Sequence, residues 1–489
     1  MRSIMLTVLC LTGMAVAGQN YQALNGSSYA GSLGTGNNPA SIVNTPWKWD
    51  LTVFGIQAKA VTNALTVRDY SLISPPGDAA VQMNKKSQAK YASFNYNINL
   101  LNARFAINKQ SAIAAGLNFR GYTRANTSRF AWQDTLRTLD RWLFLNQNNI
   151  PLTGDVISSH WVEVFGTYAR TIFNNEQGRL NAGITVKLTR GLGGGYSNIR
   201  SGEIELVPNP GGTEPTYRIK GLAALYAYSS NFDKWNNDLS TNTNINNFIS
   251  NSHGGISFDF GAEYLIKESG IGSFNDEEDE YWDYKWKIGA SLLDLGFNQY
   301  QYSRNSRLFA DLKPNIEGTD FDQKFGSVKG IKGFNDSAAS LFNSVRVPTG
   351  EFNIINPTRL VLNVDRWITQ AFYINGEVSL NLTPLAGKGR LYMKEMNLLT
   401  ITPRWETKTF GAYLPVQWNA ENKFWVGAAV KAGPVVFGLH NLGYIFSKKS
   451  MQNGGGYLAL IIKPGKKKGS TSNEKKRSRN LRQYQCPVW

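Results

Sequence analysis

The sequence predicts an all-β fold, an antiparallel transmembrane β-barrel of about fourteen strands, and three observations carry that expectation. Segments of about ten residues alternate apolar and polar side chains, as a strand does between lipid and an aqueous lumen. Aromatic residues gather near the ends of these segments, where two interfacial girdles belong. Beyond the first residues no stretch approaches a membrane-spanning helix, which needs about 20 apolar residues. The most apolar run, Tyr457 to Ile462, is strand-sized.

The N-terminus comes first. Arg2 gives a positive start, and Ile4 to Ala17 form a short apolar core ending in Ala15-Val16-Ala17. This is the pattern of a secretory leader, cleaved before Gly18. An anchor helix would be longer and would lack Thr7, Thr12 and Gly13; a lipoprotein would not place Leu9 before Cys10. Only Cys486 then remains, so no intramolecular disulfide can form. A net charge of +17 could point to nucleic acid, but an exported chain argues against that partner, and much of the excess lies in residues 465–489.

Residues 18–46 are small, polar and glycine-rich, and the barrel is expected over 47–464. Strands are expected at 47–60, 89–107, 111–124, 156–173, 179–194, 255–268, 284–303, 358–367, 369–382, 396–406, 408–418, 422–432, 434–446 and 454–464. Phe94, Phe258, Ile288 and Ile374 should face lipid, while Asn95, Asp259, Lys287 and Asn375 should face the lumen. Tyr284 falls on the lipid-facing side of its run, and Lys187, Glu263, Lys285, Glu377 and Lys431 join the lumen side. Those charges either line a polar path or pair with one another. Trp47, Trp49, Trp161, Trp282, Trp286, Trp405, Trp418 and Trp425 are the girdle candidates. A soluble sandwich also alternates, but its strands average about six residues, shorter than these runs.

Fourteen strands put both ends of the wall on one side of the membrane, with short turns there and the long excursions 61–88, 125–155, 195–254, 304–357 and 383–395 on the other. The connection Ser269 to Asp283, with the acidic run Asp276 to Glu280, is long for a short side; it is either a solvated turn or a divalent-cation site. In the second strand Leu101, Ala103, Phe105 and Ile107 change parity after Leu100, which requires a bulge or an extra turn near Asn99. Glycines Gly191, Gly193, Gly194 and Gly195 mark a kink near the outer end of the fifth strand.

Some segments carry a resemblance. Ser32-Leu33-Gly34-Thr35-Gly36-Asn37-Asn38-Pro39-Ala40-Ser41 resembles the hatch signature of the FadL/PorV-like outer-membrane β-barrel superfamily. Ala182 to Lys187, running into Gly191 to Tyr196, is similar to its fifth strand, and Gly255 to Tyr264 to the strand that follows. The resemblance implies an outer-membrane location and residues 18–46 folded back as a lumen hatch, with Asn38, Pro39 and Ala40 as its core. It also implies a lateral exit at the glycine kink.

Enzyme chemistry finds no motif. His160, His253 and His440 are far apart and lack metal spacing, and no phosphate loop or nucleophile elbow occurs, so no catalytic residue, metal or cofactor is assigned. Three functions stand open: transport or binding of a hydrophobic or amphipathic small molecule, a partner subunit of an outer-membrane secretion or assembly complex, and a sealed structural barrel in outer-membrane lipid. The basic tail 465–489, ending in Tyr484, Cys486, Pro487 and Trp489, is either a solvated appendage or a dock for a periplasmic or outer-membrane protein.

Overall fold

The structure is a computed structural model, and it describes residues 21–69, 71, 80–136, 138–149, 151–208, 216–267, 284–387, 389–420, 423–445 and 451–464. The leader, the acidic run and the tail with Tyr484, Cys486, Pro487 and Trp489 lie outside the described residues.

Fourteen segments build the wall. They are β1 Trp49–Thr62, β2 Gln88–Asn108, β3 Ser111–Phe130, β4 Thr153–Asn174, β5 Gly178–Arg200, β6 His253–Ile266 and β7 Trp286–Gln301. The ring continues with β8 Arg359–Thr369, β9 Phe372–Asn381, β10 Leu398–Glu406, β11 Phe410–Tyr413 with Val416–Asn419, β12 Phe424–Val426 with Ala428–Ala432, β13 Val435–Leu439 and β14 Asn453–Ile462. Neighbours pair antiparallel, and β14 returns to β1 from Leu51–Ile462 to Val61–Asn453. Closure leaves no open sheet edge, which is what lets a sheet sit in lipid. The expected strands therefore lie where alternation placed them.

The two faces separate as expected. Ile288 and Ile374 are each 45% exposed on the outer wall, whereas Lys287 and Asn375 are 1% exposed inside. Asn95 and Asp259 are buried as well, and Phe94 and Phe258 are half-buried. The parity change in β2 is a bulge: the register against β3 shifts between Asn99 and Leu101, and Leu100 and Leu101 both stay exposed.

Several assignments change. Trp286, Trp405 and Trp418 face outward, but Trp161 and Trp425 are buried inside. Trp161 sits inside because its indole N–H donates to the buried Glu163, 2.9 Å away. Tyr284 is not on the lipid face; it is fully buried and donates to Asp365 at 2.5 Å. Lys285 precedes β7, half-buried, and lies over the Trp367 ring, 5.7 Å from its centre. The eleventh and twelfth strands are each broken, at Leu414-Pro415 and at Gly427. Proline has no N–H for the ladder, and the Pro415 carbonyl instead accepts from Gly427 at 2.8 Å.

The outward excursions are not plain loops. β3, β4 and β5 run 20, 22 and 23 residues, about twice the 9–11 residues that cross a bilayer. Their outer halves continue the wall above the membrane, where Ala223–Tyr228 pairs with β5 and Glu351–Ile355 with β7. Among the described residues four helices complete this layer: α1 Leu139–Asn146, α2 Thr241–Ser250, α3 Gly318–Phe325 and α4 Gly330–Leu341.

Candidate functional site

Residues 21–48 run inside the ring. They form three short 3-10 turns, Gln22–Leu24, Gly31–Gly36 and Pro39–Val43, most of whose residues are buried. A chain of small polar residues suits a lumen because its backbone and side chains must bond to an inward polar wall. The Tyr21 hydroxyl donates to Asn99 of β2 at 2.6 Å, and its backbone N–H to Gln57 of β1 at 2.9 Å. Asp50 of β1 accepts from the Ser32 N–H at 2.6 Å. Ser291 of β7 donates to the Asn37 carbonyl at 2.7 Å, and Ser27 donates to Glu406 of β10 at 2.7 Å. These partners stand on widely separated strands, so the segment crosses the lumen.

Two contacts pin it most specifically. Glu377 of β9 accepts amide N–H bonds from Gln22 at 3.0 Å, Asn25 at 3.1 Å and Asn37 at 3.2 Å. Asn38, Pro39 and Ala40 lie on a shelf made by two glycines. Gly183 of β5 is paired with Gly261 of β6, and both face inward. A Cβ on Gly183 would come within 2.6 Å of the Pro39 backbone, and one on Gly261 within 2.2 Å of the Asn38 side chain. Asn38 also donates to the Ala262 carbonyl at 3.1 Å and caps its own turn by accepting from the Ala40 N–H.

The remaining lumen is filled by charge pairs. Asp294 of β7 accepts both N–H arms of Arg120 at 2.6 and 2.8 Å and also bonds Lys187 at 2.6 Å. Lys187 pairs with Asp259 as well, and Arg120 with Glu163. Asp294 adopts φ 58° at a bulge, where the register against β6 shifts; Asp tolerates this left-handed conformation better than most residues. The bulge turns Asp294 inward when regular alternation would not. A second network joins Arg404 to Asp365 and Glu406, and Glu406 to Lys431. Lys287 donates to the Gly26 carbonyl at 2.6 Å and stands 3.7 Å from Glu263. Buried ions are tolerated only when paired and bonded in this way.

Beside the segment lie two cavities of about 20 and 30 Å³. A single water needs about 10–15 Å³ on this measure, so neither holds a solute. The outer mouth is closed differently, by a cluster of Tyr122, Trp161, Tyr300, Phe352, Ile354 and Met393. Tyr122 and Trp161 stack with ring centres 5.5 Å apart, and Tyr300 and Phe352 do the same. Residues 391–392 reach in from the β9–β10 connection and pair with 354–355. Behind them Glu395 pairs with Arg359 of β8 and accepts from Asn95 of β2, almost opposite in the ring.

The glycine run stands beside this cluster. Against β4 the register slips, so that Trp161 faces Gly191 and His160 faces Gly193, leaving Leu192 as the extra residue. On its other edge β6 ends at Gly191 and Ala223–Tyr228 begins at Gly195. Across the gap Ser229 donates its N–H to the Gly194 carbonyl, and Asn231 donates to the Leu192 carbonyl. The Tyr300 ring lies against Gly191 and Gly194.

The three histidines stay apart. His440 is buried and edge-on to Tyr457, and His253 stands 3.2 Å from Glu351. His160, however, is 2.8 Å from the Ser158 hydroxyl and 2.9 Å from the Tyr96 hydroxyl, a serine–histidine pairing that motif reading did not assemble. Gly121 makes room for it, since a Cβ there would fall 2.3 Å from both His160 and Tyr96. The third partner is a neutral phenol, where serine hydrolases use a carboxylate to stabilise the imidazolium. No group of His, Cys, Asp and Glu suited to a metal occurs among the described residues.

Comparison with solved structures finds similar chains at low identity. The chain is similar to a solved Pseudomonas aeruginosa FadL homologue at 10% identity, with 92% of this chain and 98% of that one covered and a TM-score of 0.41. It is also similar to the Ralstonia pickettii toluene transporter TbuX, at 9% identity over 88% of this chain and 92% of that one, TM-score 0.36. The Pseudomonas putida toluene transporter TodX gives 9% identity over 91% and 98%, TM-score 0.30. No curated protein matches. One family model does match, over residues 39–440, and by that match the chain belongs to the family described as a family of unknown function, DUF5723.

Proposed function

We propose that the chain is an outer-membrane barrel that binds and passes a hydrophobic or amphipathic small molecule, with residues 21–46 as a hatch held in its lumen by non-covalent contacts. The observation that carries this reading is the aromatic cluster at the outer mouth. Tyr122 and Trp161 bond Arg120 and Glu163 through their polar tips, while Tyr300 and Phe352 pair with no ion, and the stacked rings of all four offer an apolar surface within a polar interior. The interrupted pairing at Gly191 to Gly195 lies against the same Tyr300 ring, and in this reading it is the side exit. The test is equilibrium binding of a dansyl-labelled fatty acid to the purified barrel. Saturable binding that Phe352→Ala weakens about tenfold is expected, since losing one buried aromatic contact is worth about 1.4 kcal/mol or more. Absence of saturable binding to the folded parent would sink the carrier reading.

A second reading is favoured by the layer above the membrane. Paired strands and four helices form broad outer surfaces, more than a pore needs. In this reading the barrel is a non-enzymatic partner subunit of a secretion or assembly complex, with the tail at Tyr484 to Trp489 as a second contact. Truncation after Gly465 should leave the barrel folded and heat-modifiable while its periplasmic association is lost. Co-purification of the same partners with the truncated chain would remove the tail from this reading.

A further inference from the structure

We infer that α2 and the turn before it form an interfacial anchor, lying on the outer leaflet of the membrane beside β5 and β6. The helix sequence Thr241 to Ser250 is polar except for Ile245, Phe248 and Ile249. Residues three and four apart share one face of a helix, so these three make a single apolar stripe. Phe232 and Trp235 in the preceding turn extend it, and the Phe232 and Phe248 rings meet edge to face at 5.3 Å.

Apart from Phe248, half-buried beneath the Phe232 ring, this stripe is uncovered. Phe232 is 49% exposed, Trp235 50%, Ile245 43% and Ile249 44%. The lipid-facing residues of β5 lie in the same range, Ile184 and Val186 at 39% and Leu188 at 63%. A soluble surface keeps such large residues scattered; here they are contiguous.

The position fixes what covers them. Arg190 follows Leu188 on the outward face of β5, two residues or about 6–7 Å higher. Its guanidinium donates to Ser252 at 2.6 Å and to the Ile249 carbonyl at 3.2 Å, at the C-terminal end of α2. A cation there suits the helix end, and the bonds fasten the helix to the outside of the wall at the top of the apolar band. Phe232 meets the same wall at Gly193, where a Cβ would stand 3.0 Å from its ring. The stripe thus continues the lipid-facing surface of β5 and β6, and a short amphipathic helix at this depth places its apolar face at the boundary of headgroups and acyl chains. The occupant is membrane lipid.

The experiment uses the full chain with Cys486→Ser. Ile245→Cys and Ser250→Cys, about 140° apart around the helix, are each labelled with an environment-sensitive fluorophore. The barrel is reconstituted in phosphatidylcholine–phosphatidylglycerol vesicles carrying a spin label near the head of the acyl chain. The label at 245 should be quenched several times more strongly by the lipid spin label than the label at 250, and iodide in the water should reverse the order. Equal quenching by lipid at both sites, or a label at 245 as open to iodide as that at 250, overturns the anchor. If Ile245→Cys fails to give a heat-modifiable barrel, Ile249→Cys reads the same stripe with the same two outcomes.

Discussion

Glu377 and the glycine pair Gly183–Gly261 show how single residues place the N-terminal segment. A buried carboxylate bonded to three amides from one segment ties that segment to β9. Losing such charge-assisted bonds costs about 1.5–3 kcal/mol each at most. Glu377→Leu should therefore loosen the segment while the wall keeps its backbone ladder. Gly261→Val should act by shape: its side chain would occupy the place of Asn38 and Pro39, and a β-branched residue is otherwise welcome in a strand. Protease cutting near residue 40 of a folded, heat-modifiable variant should increase, and unchanged resistance would argue that the shelf does not hold the segment. Asp294→Ala should be costlier, about 3–5 kcal/mol, because Arg120 and Lys187 lose a shared buried partner; chemical denaturation reads this directly. The cost is that of a core position, since Arg120, Lys187 and Asp294 are all buried in this lumen. Ser158 should remain unlabelled by a fluorophosphonate, because Tyr96 supplies no charge to support His160; a stable adduct at Ser158 would reopen hydrolase chemistry.

At the scale of elements the wall was legible because lipid imposes a period of two on every strand. Phe372 to Asn381 alternates without a break and folds as read. The same parity put Lys187, Asp259, Glu263, Glu377 and Lys431 inside, where all five are buried. What parity could not give was any residue beyond a bulge: Asp294 sits inward only after the slip in β7. Trp161 and Tyr284 were misplaced because an aromatic with a polar tip suits either an interface or a buried carboxylate. The outer strands were missed because strands above the membrane have water on one side and follow no lipid-driven alternation. On the lipid face, Val364→Arg near the middle of β8 should cost about 2–4 kcal/mol in a bilayer. Urea titration in vesicles showing no loss would mean that Val364 does not face lipid.

At the scale of the molecule, a closed fourteen-stranded wall surrounds an interior that its own side chains do not fill alone, and residues 21–48 occupy the rest. The two cavities beside that segment, about 20 and 30 Å³, admit water only. A solute crossing the lumen at their level requires that segment to move. The most direct measurement is solute flux through vesicles containing either the parent chain or a chain lacking residues 20–44. The deletion should leave a folded, heat-modifiable barrel with markedly faster flux than the parent. Equal flux through both, with the deletion variant folded, would contradict the account.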